Sequence, residues 1–586
     1  MGFLAPTPPP VDVDEWKKLP HLERIKPLAQ DWAVNGFGTP TAIYLLYVVK
    51  LIFFVFAGAL LISAATPGLG GLGNVSDWWY QPIVFQKVVV WLILWEALGL
   101  GCGSMPLTFR FLPPIGGPLY WLRPGTMRLP PWPDKVPGTR GTARTLVDVA
   151  LYAGVLGSAV FLLFSDGEAA AGASAGRLDP VAVGVLIGFI ALLGLRDKVA
   201  FLATRPEVYV PFLVIFLFPL HNMIVAAQFV FLCIWLGAAS SKLNRHFPYV
   251  VSVMISNTPW NRSRKAKARL YEHHPEDLRP SSNARLAAHL GTAMEFTLPI
   301  VLFLTSGGLV GTLAAIGMII FHVHITSTFP LAVPLEWNLF MIFGIGFLFL
   351  HYGDVPLSTL DNPLLIAFLI AGSVLIPVIG NFWPGKVSFL PAMRYYAGNW
   401  ATTQWLFRKD SGAEEKLDST IKKSAPIVVK QLTTLYDRDT AELLLAKGLA
   451  FRSMHSHGRA LNGLIYRAVD DVEDYHVREG ELISNVVNGW NFGDGHLHSA
   501  QLLEAIQERC NFAPGEVRIV TLESQPAHIQ RQHYRIYDAA TGLIEEGWVN
   551  VADMVAQLPW LDGAGTFPVE VAGAGAPAAP AAAPIA

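Results

Sequence analysis

The chain has 586 residues, too many for one small domain, and only 15% of them are charged, against the ~25% usual in soluble proteins. A net charge of −2 offers no basic surface for nucleic acid, and its three cysteines, Cys102, Cys233 and Cys510, form neither a disulfide framework nor a CxxC zinc pattern. With a mean hydropathy of +0.40, the sequence reads as a polytopic membrane protein.

Residues 1–40 are polar and proline-bearing, with Lys17, Lys18, Arg24 and Lys26 ahead of the first apolar run. They lack the ordered basic, apolar and cleavage regions of a signal peptide. The first span is expected at about Thr41–Ala64 and the second at about Pro82–Gly101, with Glu96 among Trp, Leu and Ile. Between them, 65–82 has no Lys or Arg and ends in Trp78, Trp79 and Tyr80, which suit an interfacial belt. GLGCG (99–103) follows no strand and is not a dinucleotide motif. The connection 104–144 is rich in Pro, Gly, aromatics and Arg. Non-helical backbone cannot face lipid tails, so this stretch is expected at headgroup level or lining a cavity.

Further spans are expected at Leu146–Phe164 and Pro180–Leu195. Residues 208–239 are apolar but broken by Pro211 and Pro219, with His221 and Asn222 between the halves; a re-entrant hairpin and two tilted spans both fit. The loop 242–285, with Arg262, Arg264, Lys265, Lys267 and Arg269, reads as an inner-face loop against anionic headgroups. Three spans follow at 286–305, 309–328 and 331–351, parted by Gly307-Gly308 and by Pro330 and Pro334, and the last lies at Pro363–Phe382. Basic residues are dense on one set of loops and sparse in 65–82, 165–179 and 352–362. That asymmetry places both termini in the cytoplasm, the membrane being the plasma membrane, and gives eight crossings, or ten if 208–239 crosses twice.

Beyond about Arg394 the chain becomes charged. Asp439–Leu449 and Ser499–Arg509 read as helices, whereas VRIVTLES and HYRIYDAATGLIEEGWVNV read as strands, the second turning at Ala540-Thr541-Gly542. The expected fold is therefore an α-helical polytopic membrane bundle of 8–10 transmembrane helices followed by a small α+β soluble domain. Its parts are a cytoplasmic segment 1–40, a helical domain 41–390, a cytoplasmic α+β domain 391–566 and an Ala/Pro tail 567–586, disordered by composition.

The candidate chemistry lies mainly between Leu286 and Phe349, where Glu295, His322, His324 and Glu336 interrupt apolar sequence. An ionisable group at membrane depth costs on the order of a few kcal/mol, so such groups mark bundle interiors or wet cavities. On a regular helix His324 points about 200° away from His322, so the two cannot face one ligand. Glu295 and Glu96 could each pair with a histidine or lysine across the bundle. Glu336, just after Pro334, is expected at an interface. Lys242 ends an apolar run: it is a base if burial lowers its pKa, or a snorkelling lysine if not. His221, Asn222, His324 and Glu96 complete a candidate substrate-binding set. In the α+β region, His455 and His457, and His496 and His498, would present four imidazoles to a metal if they stood on paired strands; the same stretches read equally as glycine-rich loops.

FLCIWLGAASSKLNR (231–245), Glu295 in an apolar helix, and Phe321-His322 followed by a polar Thr/Ser pair together resemble the horizontally transferred transmembrane domain shared with vitamin K-dependent gamma-carboxylases. The chain as a whole resembles an actinobacterial multi-pass membrane family of unknown function. The carboxylase resemblance implies that Lys242 occupies the position of the lysine base and His322 that of the helix histidine. It implies a membrane-embedded enzyme with Lys242 and His322 transferring protons, Glu295 orienting one of them, and an amphipathic lipid or a quinone bound. The other reading is a non-catalytic lipid transporter or membrane assembly factor whose soluble domain recruits a protein partner. Membrane lipids are partners in both readings.

Overall fold

A computed structural model describes residues 3, 7–102, 117–305, 307–328, 335–395, 397–556, 558, 560 and 567–572. The break at Pro330 and Pro334, the first part of the 104–144 connection and the tail from residue 573 lie outside these residues. Among the described residues, six helices are long and apolar enough to cross a bilayer: Thr41–Ala64, Leu146–Phe164, Leu220–Ser241, Ser282–Leu304, Gly308–Ser327 and Pro363–Phe382. Shorter apolar helices join them at Pro180–Arg196, Pro206–Phe216, Phe247–Asn257 and Leu335–His351. Pro82–Ala97 adds a helix buried on nearly every side.

Local chemistry sets the helix starts. Asp179 caps Val181 and Ala182 ahead of Pro180, Asn362 caps Leu364 and Leu365 ahead of Pro363, and Thr145 with Asp148 forms a capping box. One far end is closed by a lysine inside the protein. Lys87 Nζ donates to Thr66 Oγ1 (2.7 Å), Leu163 O (2.9 Å) and Ser165 O (2.8 Å), satisfying carbonyls where Leu146–Phe164 ends.

The helices form a packed interior with an apolar outside. Ile52, Phe53, Leu290, Leu309 and Leu313 are exposed on Thr41–Ala64, Ser282–Leu304 and Gly308–Ser327, a surface suited to lipid. Inside, Phe85, Phe212, Phe231 and Phe340 meet at ring-centroid distances of 5.3–6.0 Å. The 208–239 stretch resolves into two helices packed on one another, Pro206–Phe216 and Met223–Ser241. The first has 11 residues, about 16 Å of helix, and is too short to span ~30 Å of hydrocarbon alone. Leu335–Gly344 runs on into π-helical turns at Ile345–His351, and Pro363–Ile370 into a second π segment at Ala371–Leu375.

The C-terminal region builds a six-stranded antiparallel sheet. Its strands are β1 (Thr402–Arg408), β2 (Tyr475–Glu479), β3 (Val517–Leu522), β4 (Arg531–Asp538), β5 (Gly542–Asn550) and β6 (Glu570–Val571), in the order β6-β5-β4-β3-β1-β2. Alternation along β1 sends Leu406 to the face covered by Ser456–Ala468, and Trp405 and Phe407 to the opposite face.

This region is not a body apart from the membrane helices. One apolar core runs from Val89, Ile93 and Phe231 to Trp405, Leu417 and Leu502. A second joins Ile25, Leu28 and Trp32 of His21–Asn35 to Tyr249 and Val253 and to Leu443 and Ala450. Buried Lys447 pairs with Asp31 (2.7 Å) and Arg24 with Glu473 (2.7 Å). The described part of the long connection, 117–144, packs here too: Trp121 Nε1 donates to Asn488 O (3.2 Å), and Gln501 Nε2 to Pro130 O (2.8 Å).

Candidate functional site

Lys242 caps the C-terminal end of Met223–Ser241, and its side chain folds back against the neighbouring helix Ser282–Leu304. Lys242 Nζ lies 2.5 Å from Glu295 Oε2, with the two side chains only 9% and 5% exposed. The ammonium also stands 5.5 Å from the centre of the Phe247 ring. The pair is a largely buried ion pair, not a free amine.

His322 sits on the next helix, Gly308–Ser327, and is buried. Trp235 Nε1 donates to its Nε2 (2.9 Å), so Nε2 holds the lone pair; Nδ1 carries the proton and donates to Asn338 Oδ1 (2.8 Å). Both ring nitrogens are therefore engaged, and one tautomer is fixed. His322 positions three helices against each other. His324 is exposed beside Trp260, on the side away from His322, as the helical period requires.

The remaining substrate-binding candidates lie elsewhere. His221 and Asn222 form the turn that begins Met223–Ser241, about 30 Å of helix away from Lys242. There His221 meets Asp361 (3.2 Å), and Asn222 Oδ1 accepts from Asp361 N and Asn362 N. Glu96 is fully buried but pairs with neither Lys242 nor a histidine; its Oε2 accepts from Cys102 N (2.9 Å). A Cβ on Gly101 would stand 2.3 Å from that carboxylate, which is why the turn after Pro82–Ala97 needs glycine there.

Glu96 belongs to a second buried polar group that the sequence reading did not assemble. Glu336 is 1% exposed, inside the protein; its Oε1 lies 2.9 Å from Lys50 Nζ and accepts from Trp95 Nε1 (3.3 Å). Arg205, also wholly buried, donates to Glu207 Oε1 (2.7 Å) and to Cys102 Sγ (3.3 Å). Its guanidinium stands 5.5–5.7 Å from the rings of Trp337, Tyr395 and Phe492. Arg205 takes a left-handed conformation, φ 55°, uncommon for a residue with a side chain. Among the described residues Glu96 Oε1, Arg205 Nη2, Glu207 Oε2 and Tyr209 Oη have no hydrogen-bond partner.

The family model described as "transmembrane protein of unknown function" (DUF3556) matches residues 1–572. The chain belongs to this family. No curated protein and no solved structure matches it. Membership in DUF3556 agrees with the apolar helices in making this a transmembrane protein.

The four histidines read as a possible metal cluster in this DUF3556 sheet region, His455, His457, His496 and His498, do not stand on paired strands. His455 and His457 flank and open the helix Ser456–Ala468, and His496 and His498 lie in and beside the turn Gly495–Leu497. Among the described residues no group of three or more His, Cys, Asp or Glu could hold a metal ion. Each histidine has its own task. His246, from the loop after Lys242, accepts from Ser456 Oγ (2.6 Å) and donates to Gln525 Oε1 (2.9 Å), and its ring stacks on that of His457 at 5.1 Å. Burial, reinforced by the charge of Arg245, pushes His246 down to about 4, so it is neutral. His496 behaves oppositely. Its Nε2 meets both oxygens of Glu523 (3.0 and 3.1 Å), and Asp494 lies behind Nδ1 (3.5 Å). Burial opposes its charge, yet Glu523 and Asp494 outweigh burial and raise it to about 9. Nothing in the bare histidine spacing distinguishes these environments.

Proposed function

We propose that this protein is a membrane-embedded enzyme of carboxylase-like fold that exchanges a proton with an amphipathic lipid or quinone at the Lys242–Glu295 pair. The observation that carries the reading is the contact of Lys242 Nζ with Glu295 Oε2 at 2.5 Å, beside a helix whose outer face is apolar. A proton passing from Nζ to Oε2 leaves a neutral amine and a neutral acid, and the amine lone pair then takes a proton from the substrate. His322 is the positioning residue: held by Trp235 and Asn338, it fixes the helix that faces the pair. The plasma membrane, with both termini cytoplasmic, is the proposed location.

The test is chemical capture. The full-length protein would be extracted in native lipid particles, and its lipids and quinones identified by mass spectrometry. Wild type would be compared with Glu295→Gln. One amphipathic compound enriched in wild type and missing from the variant supports the reading; identical profiles reject it.

The second reading, a non-catalytic lipid transporter or assembly factor that recruits a partner, is favoured by the buried group around Glu96 and Arg205. Unpartnered polar atoms inside a bundle suit a path for polar cargo. Loss of lipid capture in Glu96→Gln, with Glu295→Gln unaffected, would favour it.

A further inference from the structure

The helix Ala500–Cys510 begins without a side-chain cap: Ser499 stands at the cap position, but its Oγ bonds to nothing. The first intrahelical bond runs from Leu503 N to Ser499 O (3.0 Å), so the amides of Ala500, Gln501 and Leu502 precede it. Those amides and the helix dipole leave partial positive charge at this end. In front of it the sheet holds a small cleft of about 40 Å³, lined by Ser499, Ala500, His496, His498, Arg535 and Tyr537.

A second observation points into the same space. His498 is fully buried, its Nδ1 is bonded to Thr403 Oγ1, and its Nε2 has no partner. When Thr403 donates to Nδ1, Nε2 carries the proton and is a donor with nothing to donate to. A buried donor left so costs free energy unless a ligand or water accepts from it. Three carboxylates also stand near the cleft, and all are engaged: Asp494 accepts from Ser388 Oγ and from His496 N (3.2 Å). Glu523 is held by His496 and by Ser524 N (2.7 Å), and Glu546 faces Arg535 (3.3 Å). Arg535 also hydrogen-bonds the Tyr537 hydroxyl, and among the described residues it pairs with no second acid.

We propose that this cleft binds a single tetrahedral oxyanion, a phosphate monoester group. Its acceptors are met by the open amides of the helix start, Ser499 Oγ, His498 Nε2 and Arg535. The chemistry fits both inorganic phosphate and the headgroup of a phosphatidate. The membrane is near in sequence: Ser388 and Phe389, just beyond the last apolar helix, touch Asp494 and Gly493, which precede the cleft residues Gly495 and His496. The site is separate from Lys242–Glu295, and neither reading requires the other.

The test uses the full-length protein in a phosphate-free detergent solution, with isothermal titration of inorganic phosphate and, separately, of a short-chain phosphatidic acid. Ser499→Asp places a carboxylate at the cap, where it bonds the open amides and repels an anion. It favours the helix, so folding is retained. Arg535→Gln is the second variant. Binding of either probe to wild type, weakened by roughly tenfold or more in Ser499→Asp and also reduced in Arg535→Gln, is expected. Binding of the phosphatidic acid alone assigns the site to a lipid headgroup; binding of both assigns it to the phosphate group itself. Failure of both probes to bind, or equal binding by wild type and Ser499→Asp, overturns the proposal.

Discussion

Replacing Lys242 with methionine removes the only charge among the described residues within bonding distance of Glu295 while nearly keeping the side-chain volume. Breaking a buried ion pair from one side costs about 3–5 kcal/mol, because the other charge is left uncompensated. Replacing both partners with apolar or neutral groups is often neutral. The two single changes should also differ from each other. Lys242 sits at a helix end on a long flexible stem, so in Glu295→Gln its ammonium can swing toward water. Glu295 lies in the middle of Ser282–Leu304 on a short stem and has no such exit. The expected order of destabilisation is therefore Lys242→Met, then Glu295→Gln, with the double variant near wild type. Unfolding midpoints of the four proteins, measured in one detergent by tryptophan fluorescence, close the cycle. Additive single effects, or a Lys242→Met variant no less stable than Glu295→Gln, would refute the reasoning.

Trp235→Phe leaves the Nε2 lone pair of His322 buried and unmet, so it should cost about 1–3 kcal/mol in the same unfolding assay; a silent substitution would mean that the indole contact holds nothing. Stability should peak near about pH 6.5, because two sets of histidines pull in opposite directions. Burial holds His246 at about 4 and His455 and His498 at about 3, so the unfolded chain takes up more protons below about 6.5 and acid destabilises the fold. His496, raised to about 9, contributes fully below about 6.5 and loses its contribution as pH rises through 9. Removing the imidazole in His496→Gln should flatten only the alkaline limb of a thermal-midpoint profile. Gly480→Ala would set a Cβ 1.9 Å from Thr403 Oγ1 and 2.7 Å from His498 Nδ1, and should cost roughly 1–3 kcal/mol. Gly448→Ala, mid-helix with nothing within 4 Å, should instead stabilise by about 0.5–1 kcal/mol; the same sign for both would contradict the packing.

The apolar runs were legible because each is continuous in sequence, and Pro219 marked the break between the helices of 208–239. Periodicity also separated His322 from His324 correctly. The hairpin strands around Ala540-Thr541-Gly542 and the helix beginning near Ser499 showed in the same way. Other features depend on partners far along the chain. A lone Lys50 in an apolar helix announces nothing, since Glu336 lies 286 residues later. Arg205 reads as a flanking charge because basic residues usually mark span ends; only the fold surrounds it with Trp337, Tyr395 and Phe492. Strand β1 was missed because TTQWLFR buries both of its faces and so lacks a two-residue alternation.

The bond between Lys447 and Asp31 spans 416 positions, and His21 reaches Glu473 and Asn462 across still longer stretches. During synthesis the helix His21–Asn35 therefore emerges hundreds of residues before the surface that covers it. Tyr249 and Val253 cover part of its apolar stripe, but Ile25, Leu28 and Trp32 wait for Leu443 and Ala450 while the later spans are inserted. Completion of the C-terminal region is thus a checkpoint for the helix His21–Asn35. A chain stopped near residue 390 would present that apolar stripe to chaperones and proteases, so quality control could recognise an unfinished molecule at its beginning.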